Sequence, residues 1–338
     1  MQNLLDPAIL FFIFGVFAGA VKSNLEIPQP ISRFLSLYLL MALGLKGGFA
    51  LAHSGLTAQV ATSLGCAILL AVLIPALGYQ LLKRFLSRFD AAAVAATYGS
   101  VSAVTFITAV QYLESHQFAY GGHMAAAMAL MESPAIIMAV IFANTSRQRE
   151  PVSADLAASG NTTVLTGVQS GRRPGFPIGK ILHESFTDGA QLLLLGAMVV
   201  GILTGDAGKA AMQPFSVDLF KGMLAFFLLD MGLLAARNLP EIRGKSPWLI
   251  AYAIFGPLVH AGIALTLAGL FGIQAGDAAL LMVLAASASY IAVPAVLRYA
   301  IPEANPSLYF GLSLGVTFPL NILFGIPLYV AVAHYVLG

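Results

Sequence analysis

The chain has 338 residues, of which 59% are hydrophobic and 9% are charged, and its mean hydropathy is +0.86. Soluble globular domains carry about 25% charged residues, so this composition excludes a soluble globular core. The single cysteine, Cys66, excludes an internal disulfide and a multi-thiolate metal site. The net charge of +2 is uninformative by itself, and no nucleic-acid partner is expected.

The apolar residues form long runs separated by short polar segments, which indicates that lipid is the solvent of this chain. The N-terminus, Met1 to Asp6, has no basic region, so we expect the first run to remain as a membrane helix rather than a cleaved signal. We predict an all-α membrane protein with ten transmembrane helices, at roughly 8–23, 31–51, 57–82, 90–113, 122–143, 185–204, 214–236, 247–271, 277–300 and 306–336.

A polar segment between the fifth and sixth runs predicts how the chain is divided. Residues 144–184 are rich in Ser, Thr, Gly, Arg and Pro, and we interpret them as a cytoplasmic linker between a unit at 1–143 and a unit at 185–338. Fourteen of the 17 Lys and Arg residues then lie in or beside cytoplasmic segments, the exceptions being Lys46, Lys209 and Lys221. This positive-inside bias places both termini on the non-cytoplasmic side.

The two units share a pattern of polar residues. Three pairs recur at a spacing of 187 residues: Asp90 and Asp277, Ser100 and Ser287, and Ser102 and Ser289. Because each unit has five helices, an odd number, the second unit enters the membrane upside down relative to the first. We therefore predict two inverted five-helix repeats, the arrangement of many transporters. Chance similarity between Ala-, Leu- and Gly-rich segments is the alternative.

The paired serines predict broken helices at the fourth and ninth spans. Pro294 disfavours helical geometry at Val293 and removes one backbone donor. A broken helix offers free N–H groups that attract an anion and free carbonyls that can coordinate a cation. The predicted substrate ligands are Ser100, Val101, Ser102, Ser287, Ala288 and Ser289. Close packing of helices through small residues would explain the same serines without a ligand.

A second set of polar residues is interpreted as ligands of a coupling ion. Glu132 lies near the centre of the fifth span, where a carboxylate must face protein or a water-filled cavity. Asn321 occupies the corresponding region of the tenth span. The predicted ligands of sodium or another coupling ion are Ser102, Thr105, Ser289, Glu132 and Asn321. Lys46 and Asp230 end the second and seventh spans and could pair across the repeat axis, although the sequence gives no distance between them. For Glu132 and Asn321, a purely structural hydrogen bond to a neighbouring helix is the alternative.

Several segments of the chain are similar to one known family. They are Leu284-Ala285-Ala286-Ser287-Ala288-Ser289 with Pro294, Ala304-Asn305-Pro306-Ser307, Gly44-Leu45-Lys46-Gly47-Gly48, Gly99-Ser100-Val101-Ser102 and Glu132-Ser133-Pro134. With these segments the chain resembles the sodium-dependent bicarbonate transporter family of cyanobacteria and other bacteria over nearly its whole length. Cyanobacterial members have an acidic residue at the position of Tyr290 and glycines at the positions of Ala103 and Val293.

The resemblance implies a homotrimer in the bacterial inner membrane, with an elevator-like core that moves against a gate formed by spans one, two, six and seven. It implies symport of bicarbonate with sodium at the two broken helices, no enzymatic activity and no cofactor besides the sodium ion. It also implies a PII-like cytoplasmic regulator as a further partner. Two alternatives stay open: a sodium- or proton-coupled transporter of another small carboxylate or oxyanion, and a membrane receptor or scaffold.

Overall fold

The computed structural model describes residues 6–55, 57–149, 189–242 and 244–338. Within these ranges the regular structure is entirely helical, and no strand occurs. The first half forms six helices: α1 (Pro7–Ala20), α2 (Gln29–Ser54), α3 (Ala58–Leu82), α4 (Arg88–Gly99), α5 (Ala103–Ser115) and α6 (Met124–Arg149). Polar side chains begin several of them. The Asp6 carboxylate accepts the Ala8 N–H at 2.8 Å, and Thr57 Oγ1 accepts the Val60 N–H at 3.3 Å.

The second half begins with α7 (Gly189–Gln213), and the π-helical turn Pro214–Asp218 joins it to the next helix. The remaining helices are α8 (Phe220–Asn238), α9 (Pro247–Leu270), α10 (Ala275–Ala286), α11 (Ala292–Ala300) and α12 (Pro306–Leu337). Two π-helical turns interrupt α12, on either side of the short segment Phe318–Leu320. Pro319 lies between them. Because proline has no backbone N–H to donate, the helical hydrogen-bond ladder is interrupted there, and the wider turns accommodate this interruption.

In the described part of the chain, seven helical segments are long and apolar enough to cross a membrane, with α4–α5 and α7–α8 each taken as one continuous segment. The α7–α8 segment has 50 residues, with a kink at Gly205 where φ is +52°. At about 1.5 Å per residue it spans roughly 75 Å, which is enough for two crossings of a ~30 Å hydrocarbon layer. The chain is therefore a multi-pass membrane protein.

Most helix bounds follow the predicted spans closely, but α7 continues to Gln213 beyond the predicted end at 204, and α6 differs around the predicted linker. Helix α6 continues to Arg149, so residues 144–149 extend this helix instead of opening the linker. The lengthening is consistent with the sequence, because Gln148 and Arg149 are acceptable helix residues and no Gly or Pro occurs between Pro134 and Pro151. The rest of the predicted linker, from residue 150, lies outside the described residues.

Two helix pairs approach very closely through glycine. Helix α2 packs along α7, and α1 packs along α8. A Cβ built on Gly201 of α7 would lie 2.7 Å from the Leu45 carbonyl oxygen and 3.0 Å from Gly48 Cα. Gly15 of α1 meets Gly232 of α8 in the same manner. Small residues let the backbones touch, which is how helices in lipid gain dispersion energy without a hydrophobic driving force.

The close approach predicts a large effect of one substitution in α7. Gly201→Leu should prevent α2 and α7 from packing, because backbone atoms of Leu45 and Gly48 cannot move aside as a side chain can. Overpacking typically costs about 1–3 kcal/mol, and rigid neighbours place this site at the upper end. The measurement is the temperature at which the detergent-solubilised protein leaves its monodisperse gel-filtration peak. Gly196→Leu is the matched control, since a Cβ there meets nothing within 4 Å. Equal melting of both variants would contradict this packing.

The interrupted helices lie in the interior of the protein. In the most apolar stretch of the α4–α5 segment 94% of the residues are buried, against 44% for α3 and 33% for α9. All residues of α10 from Gly276 to Ala286 are buried as well. These helices are rich in alanine, so their neighbours can pack close to them on every side. The breaks in α4–α5 and α10–α11 are thereby held away from lipid.

Candidate functional site

Two breaks face each other at the centre of the protein, as predicted for the fourth and ninth spans. Helix α4 ends at Gly99 and α5 begins at Ala103, while α10 ends at Ala286 and α11 begins at Ala292. Both first residues after the helix ends are extended, with ψ of −172° at Ser100 and 165° at Ser287. The proline that helped to predict the second break, Pro294, sits in the first turn of α11, where its missing N–H costs nothing.

Hydrogen bonds join the two breaks directly. The Ser102 N–H donates to Ser287 Oγ at 3.0 Å, and the Ser289 N–H donates to the Thr97 carbonyl oxygen at 2.8 Å. Ser287 Oγ in turn donates to the Leu284 carbonyl oxygen at 2.9 Å. These groups are buried, so the bonds satisfy backbone atoms that the helix breaks would otherwise leave unpaired. The predicted pairing of the two serine-rich segments is therefore seen as physical contact.

Ser102 begins α5, and Ser289 lies in the second break, three residues before α11 begins at Ala292. Ser102 Oγ accepts the Thr105 N–H at 3.2 Å and the Thr105 hydroxyl at 2.9 Å. Ser289 Oγ accepts the Val293 N–H at 3.3 Å. The amides of Ala103 and Val104 have no acceptor within α5, as is general for the first turn of a helix. A polar site with unpaired donors therefore forms where α5 begins.

A cavity of about 230 Å³ adjoins the breaks. Among the predicted ligands, Val101, Ser102, Ser289 and Glu132 line it. The other predicted ligands do not border this cavity: Ser100, Thr105, Ser287, Ala288 and Asn321. Most of the remaining wall is apolar, with contributions from α2, α6 and α7. No Lys or Arg of the described residues borders the cavity, so a bound anion would depend on amide and hydroxyl donors.

Asn321 holds the broken helix together instead of facing the cavity. Its Nδ2 donates to the carbonyl oxygen of Ala286, the last residue of α10, at 2.8 Å. Its Oδ1 accepts the Tyr329 hydroxyl at 3.0 Å. Both the nitrogen and the oxygen of this amide are therefore hydrogen-bonded to protein groups. The structural alternative considered for Asn321 describes its geometry better than the ligand role does.

Glu132 forms a hydrogen bond across the cavity. It lies on α6, and Gln191 Nε2 on α7 donates to its Oε2. Gln191 is buried and also borders the cavity. The sequence analysis did not identify Gln191, although an amide inside the apolar run that follows residue 190 was a usable signal. The pair places a carboxylate in the wall of an otherwise mostly apolar cavity.

Tyr290 is a second residue that the sequence analysis did not assign to the site. Its side chain is buried, borders the cavity, and packs edge-on against Phe318 with ring centroids 5.3 Å apart. Its hydroxyl donates to Met231 Sδ on α8 at 3.6 Å. Tyr290 follows Ser289 directly, so its ring shapes the space beside the break.

The predicted pair between Lys46 and Asp230 is wrong. Lys46 Nζ on α2 lies 2.8 Å from Glu114 Oε2 at the end of α5, and the Tyr120 hydroxyl donates to Glu114 Oε1 at 2.8 Å. Asp230 is buried on α8 and accepts a hydrogen bond from the Ser32 hydroxyl. Lys46 and Asp230 therefore bond to different residues, Glu114 on α5 and Ser32 on α2, and the linear distances along the chain could not show this.

The paired aspartates that revealed the sequence repeat make equivalent contacts. Asp90, in the first turn of α4, accepts the Asn305 N–H at 2.7 Å. Asp277, in the first turn of α10, accepts the Gly121 N–H at 2.6 Å. Each aspartate thereby fixes the loop that follows the other broken helix. Only the second contact is buried, and there His123 Nε2 lies 3.5 Å from Asp277 Oδ2.

This architecture, a multi-pass helical protein whose interrupted helices meet beside an internal cavity, is the class that transporters use to bind ions and small solutes. The family model of the Na+-dependent bicarbonate transporter superfamily matches residues 7–334, and the chain belongs to this family. The resemblance noted from the sequence is thereby confirmed, and the protein is a membrane transporter. No curated protein sequence matches the chain significantly.

Proposed function

We propose that the protein is a secondary transporter that imports a small anion together with sodium, with bicarbonate as the first candidate. The observation that carries this proposal is that Ser102, which begins α5, and Ser289, which lies just before α11, both border one cavity. Helix N-termini favour an anion through their free N–H groups and their dipole. The anion would accept hydrogen bonds from the amides of Ala103 and Val104 and from the two serine hydroxyls.

Sodium would bind next to the anion, on oxygen ligands. Glu132 and the hydroxyls of Ser102 and Ser289 supply such oxygens at the cavity wall. The Thr105 hydroxyl donates to Ser102 Oγ and does not border the cavity, so it would reach the ion only after a small rearrangement. In this proposal Ser100, Ser287, Ala288 and Asn321 shape the breaks rather than contact the cargo. A cation beside the anion lowers the electrostatic cost of carrying either one through a low-dielectric region.

Two inverted five-helix repeats account best for the pairwise correspondences. Helices α4 and α10 have 12 residues each and begin 187 residues apart in the sequence. Asp90 and Asp277 each bond to the other half of the protein, and each break donates a backbone N–H to the other half. This reciprocity is what a two-fold axis between the halves would produce. With α4–α5 and α10–α11 each crossing once, this layout has ten spans and the orientation given by the positive-inside bias.

An elevator-like motion would expose the site alternately to the two sides of the membrane. We assign α1, α2, α7 and α8 to a gate, because these helices pack along one another in pairs through close glycine contacts. The cavity lies between the gate residues Ser36 and Gln191 and the breaks in the other helices. The ion pair of Lys46 with Glu114 also joins the gate to the moving part, so it would break or re-form during the motion.

The test is uptake of labelled bicarbonate into proteoliposomes that contain the purified protein. We expect uptake with an inward sodium gradient and little above empty liposomes when choline replaces sodium. A membrane potential, negative inside, should accelerate uptake if more sodium than anion charge enters per cycle. Uptake that is equal with and without sodium would contradict sodium symport, and no uptake at all would contradict bicarbonate as the substrate.

The apolar wall of the cavity favours a second candidate, a small aliphatic carboxylate carried with a proton. Bicarbonate has no apolar part, whereas the residues around Glu132 include Leu40, Met128 and Ile136. In this case Glu132 would carry the proton, and Glu132→Gln should abolish uptake driven by a pH gradient while leaving exchange of bound substrate intact. Sodium-driven bicarbonate uptake that survives in Glu132→Gln would exclude both the proton role and a required sodium ligand at this residue.

A further inference from the structure

A basic pocket lies far from the cavity, where α3 ends, α4 begins and α6 approaches its C-terminal end. We call it the basic pocket; it has a volume of about 570 Å³. Three cationic side chains line it, from Lys83, Arg84 and Arg88. The hydroxyls of Thr145 and Ser146 add polar groups on the α6 side. Nothing in the proposed transport cycle uses these residues.

Within the part of the chain that the structure describes, the three positive charges of the basic pocket have no carboxylate partner. Among the described residues, no carboxylate oxygen lies within 4.0 Å of Lys83, Arg84 or Arg88. Lys83 Nζ donates to the amide oxygen of Gln80. The nearest acid in sequence, Asp90, already accepts bonds from the Ser87 hydroxyl and the Asn305 N–H. The pocket therefore offers concentrated positive charge to an anion. The planar guanidinium groups of its two arginines can each form paired hydrogen bonds to a phosphate.

The floor and rim of the basic pocket are apolar. The rings of Tyr79 and Phe142 stack with centroids 4.3 Å apart, and the Tyr79 hydroxyl bonds with Ser146 Oγ at 3.2 Å. Leu77, Leu81 and Ile141 are exposed large apolar residues on the same helices, next to the pocket. In a membrane protein such a surface faces acyl chains. A soluble anion would gain nothing from it, whereas a phospholipid would use both parts of the site.

We infer that the basic pocket binds the phosphate headgroup of an anionic phospholipid, with its acyl chains lying along the apolar surface of α3. Arg84 and Arg88 would contact the phosphate, and the stacked rings would support the glycerol region. Basic pockets between helices at the membrane surface are suited to such headgroups. The bound lipid would fasten the end of α3 to that of α6. The shared chemistry with a free phosphate ion makes the soluble anion the alternative that the test must separate.

The test counts bound lipid on the purified full-length protein by native mass spectrometry, after reconstitution in phosphatidylcholine vesicles containing phosphatidylglycerol. The double variant Arg84→Gln/Arg88→Gln should retain phosphatidylglycerol about 25-fold less well, since each basic group near an anionic surface contributes roughly a factor of five. The matched control, Arg33→Gln/Lys245→Gln, removes two cations elsewhere and should behave as the wild type. Arg33 is exposed and Lys245 is half-buried outside the pocket.

A second measurement separates binding from misfolding and lipid from free phosphate. Phosphatidylglycerol should raise the melting temperature of the wild type and the control but not that of the double variant, while all three melt alike in phosphatidylcholine alone. Inorganic phosphate should neither raise the melting temperature nor displace the lipid. Equal lipid retention in both double variants would overturn the proposal. Displacement by inorganic phosphate would also overturn it, because the pocket would then serve a soluble anion.

Discussion

Uptake by the Ser102→Ala variant should fall about 10- to 100-fold below that of the wild type. The substitution removes a hydroxyl that we assign to both anion and sodium, and a hydrogen bond to a charged group is worth about 1.5–3 kcal/mol. It also removes the acceptor of the Thr105 N–H and of the Thr105 hydroxyl. The measurement is the initial rate of sodium-driven uptake in proteoliposomes at equal protein density.

The matched control is Ser87→Ala, because Ser87 has the same local role without the cavity. Ser87 Oγ accepts the Asp90 N–H at 3.1 Å and begins α4, just as Ser102 begins α5. Loss of such a cap costs about 0.5–2 kcal/mol of stability in either place. We expect similar melting temperatures for the two variants and near-normal uptake for Ser87→Ala. Normal uptake in Ser102→Ala would contradict a ligand role for Ser102.

Asp277→Ala should destabilise the protein more than Asp90→Ala, although the two aspartates correspond in the repeat. Leaving a buried backbone donor without its acceptor typically costs about 1–3 kcal/mol, and truncating a buried side chain adds the cost of a cavity. Both side chains of the pair are buried, with 4% exposure for Asp277 and 6% for His123. The substitution leaves the Gly121 N–H without its acceptor and opens a space beside His123. The expected result is a large drop in melting temperature or in the yield of folded protein.

Asp90→Ala serves as the control for this prediction, since its bond to the Asn305 N–H is exposed to solvent. Water can replace the lost carboxylate there, so we expect a loss of about 1 kcal/mol. Equal destabilisation by the two aspartate variants would contradict the buried contact.

The lengths of the helices followed from the sequence because lipid imposes a simple rule on apolar runs. Predicted spans such as 57–82 and 247–271 agree closely with α3 (Ala58–Leu82) and α9 (Pro247–Leu270). The breaks were also predictable, since serine pairs recur at a fixed distance in the sequence and Pro294 marks one of them. The ten-span inverted layout, the homotrimer, the orientation and the PII-like regulator stay predictions.

The partners of individual side chains could not be read from the sequence. Lys46 pairs with Glu114 instead of Asp230 because the packing of α2 against α5 decides which acid is near. The role of Asn321 was equally ambiguous, since an amide inside a membrane can bind an ion or cap a helix. Its hydrogen bond to the Ala286 carbonyl oxygen shows that it caps the end of α10. Gln191 could be assigned to the site only from the fold, which places α7 across the cavity from Glu132.

The most direct test of the account is a comparison of two experimental density maps, determined in sodium with and without bicarbonate. We expect additional density between the starts of α5 and α11, within hydrogen-bonding distance of Ser102 and Ser289 and beside the cavity that Glu132 borders. Density that appears elsewhere in the protein, while the space between Ser102 and Ser289 is the same in both maps, would contradict it.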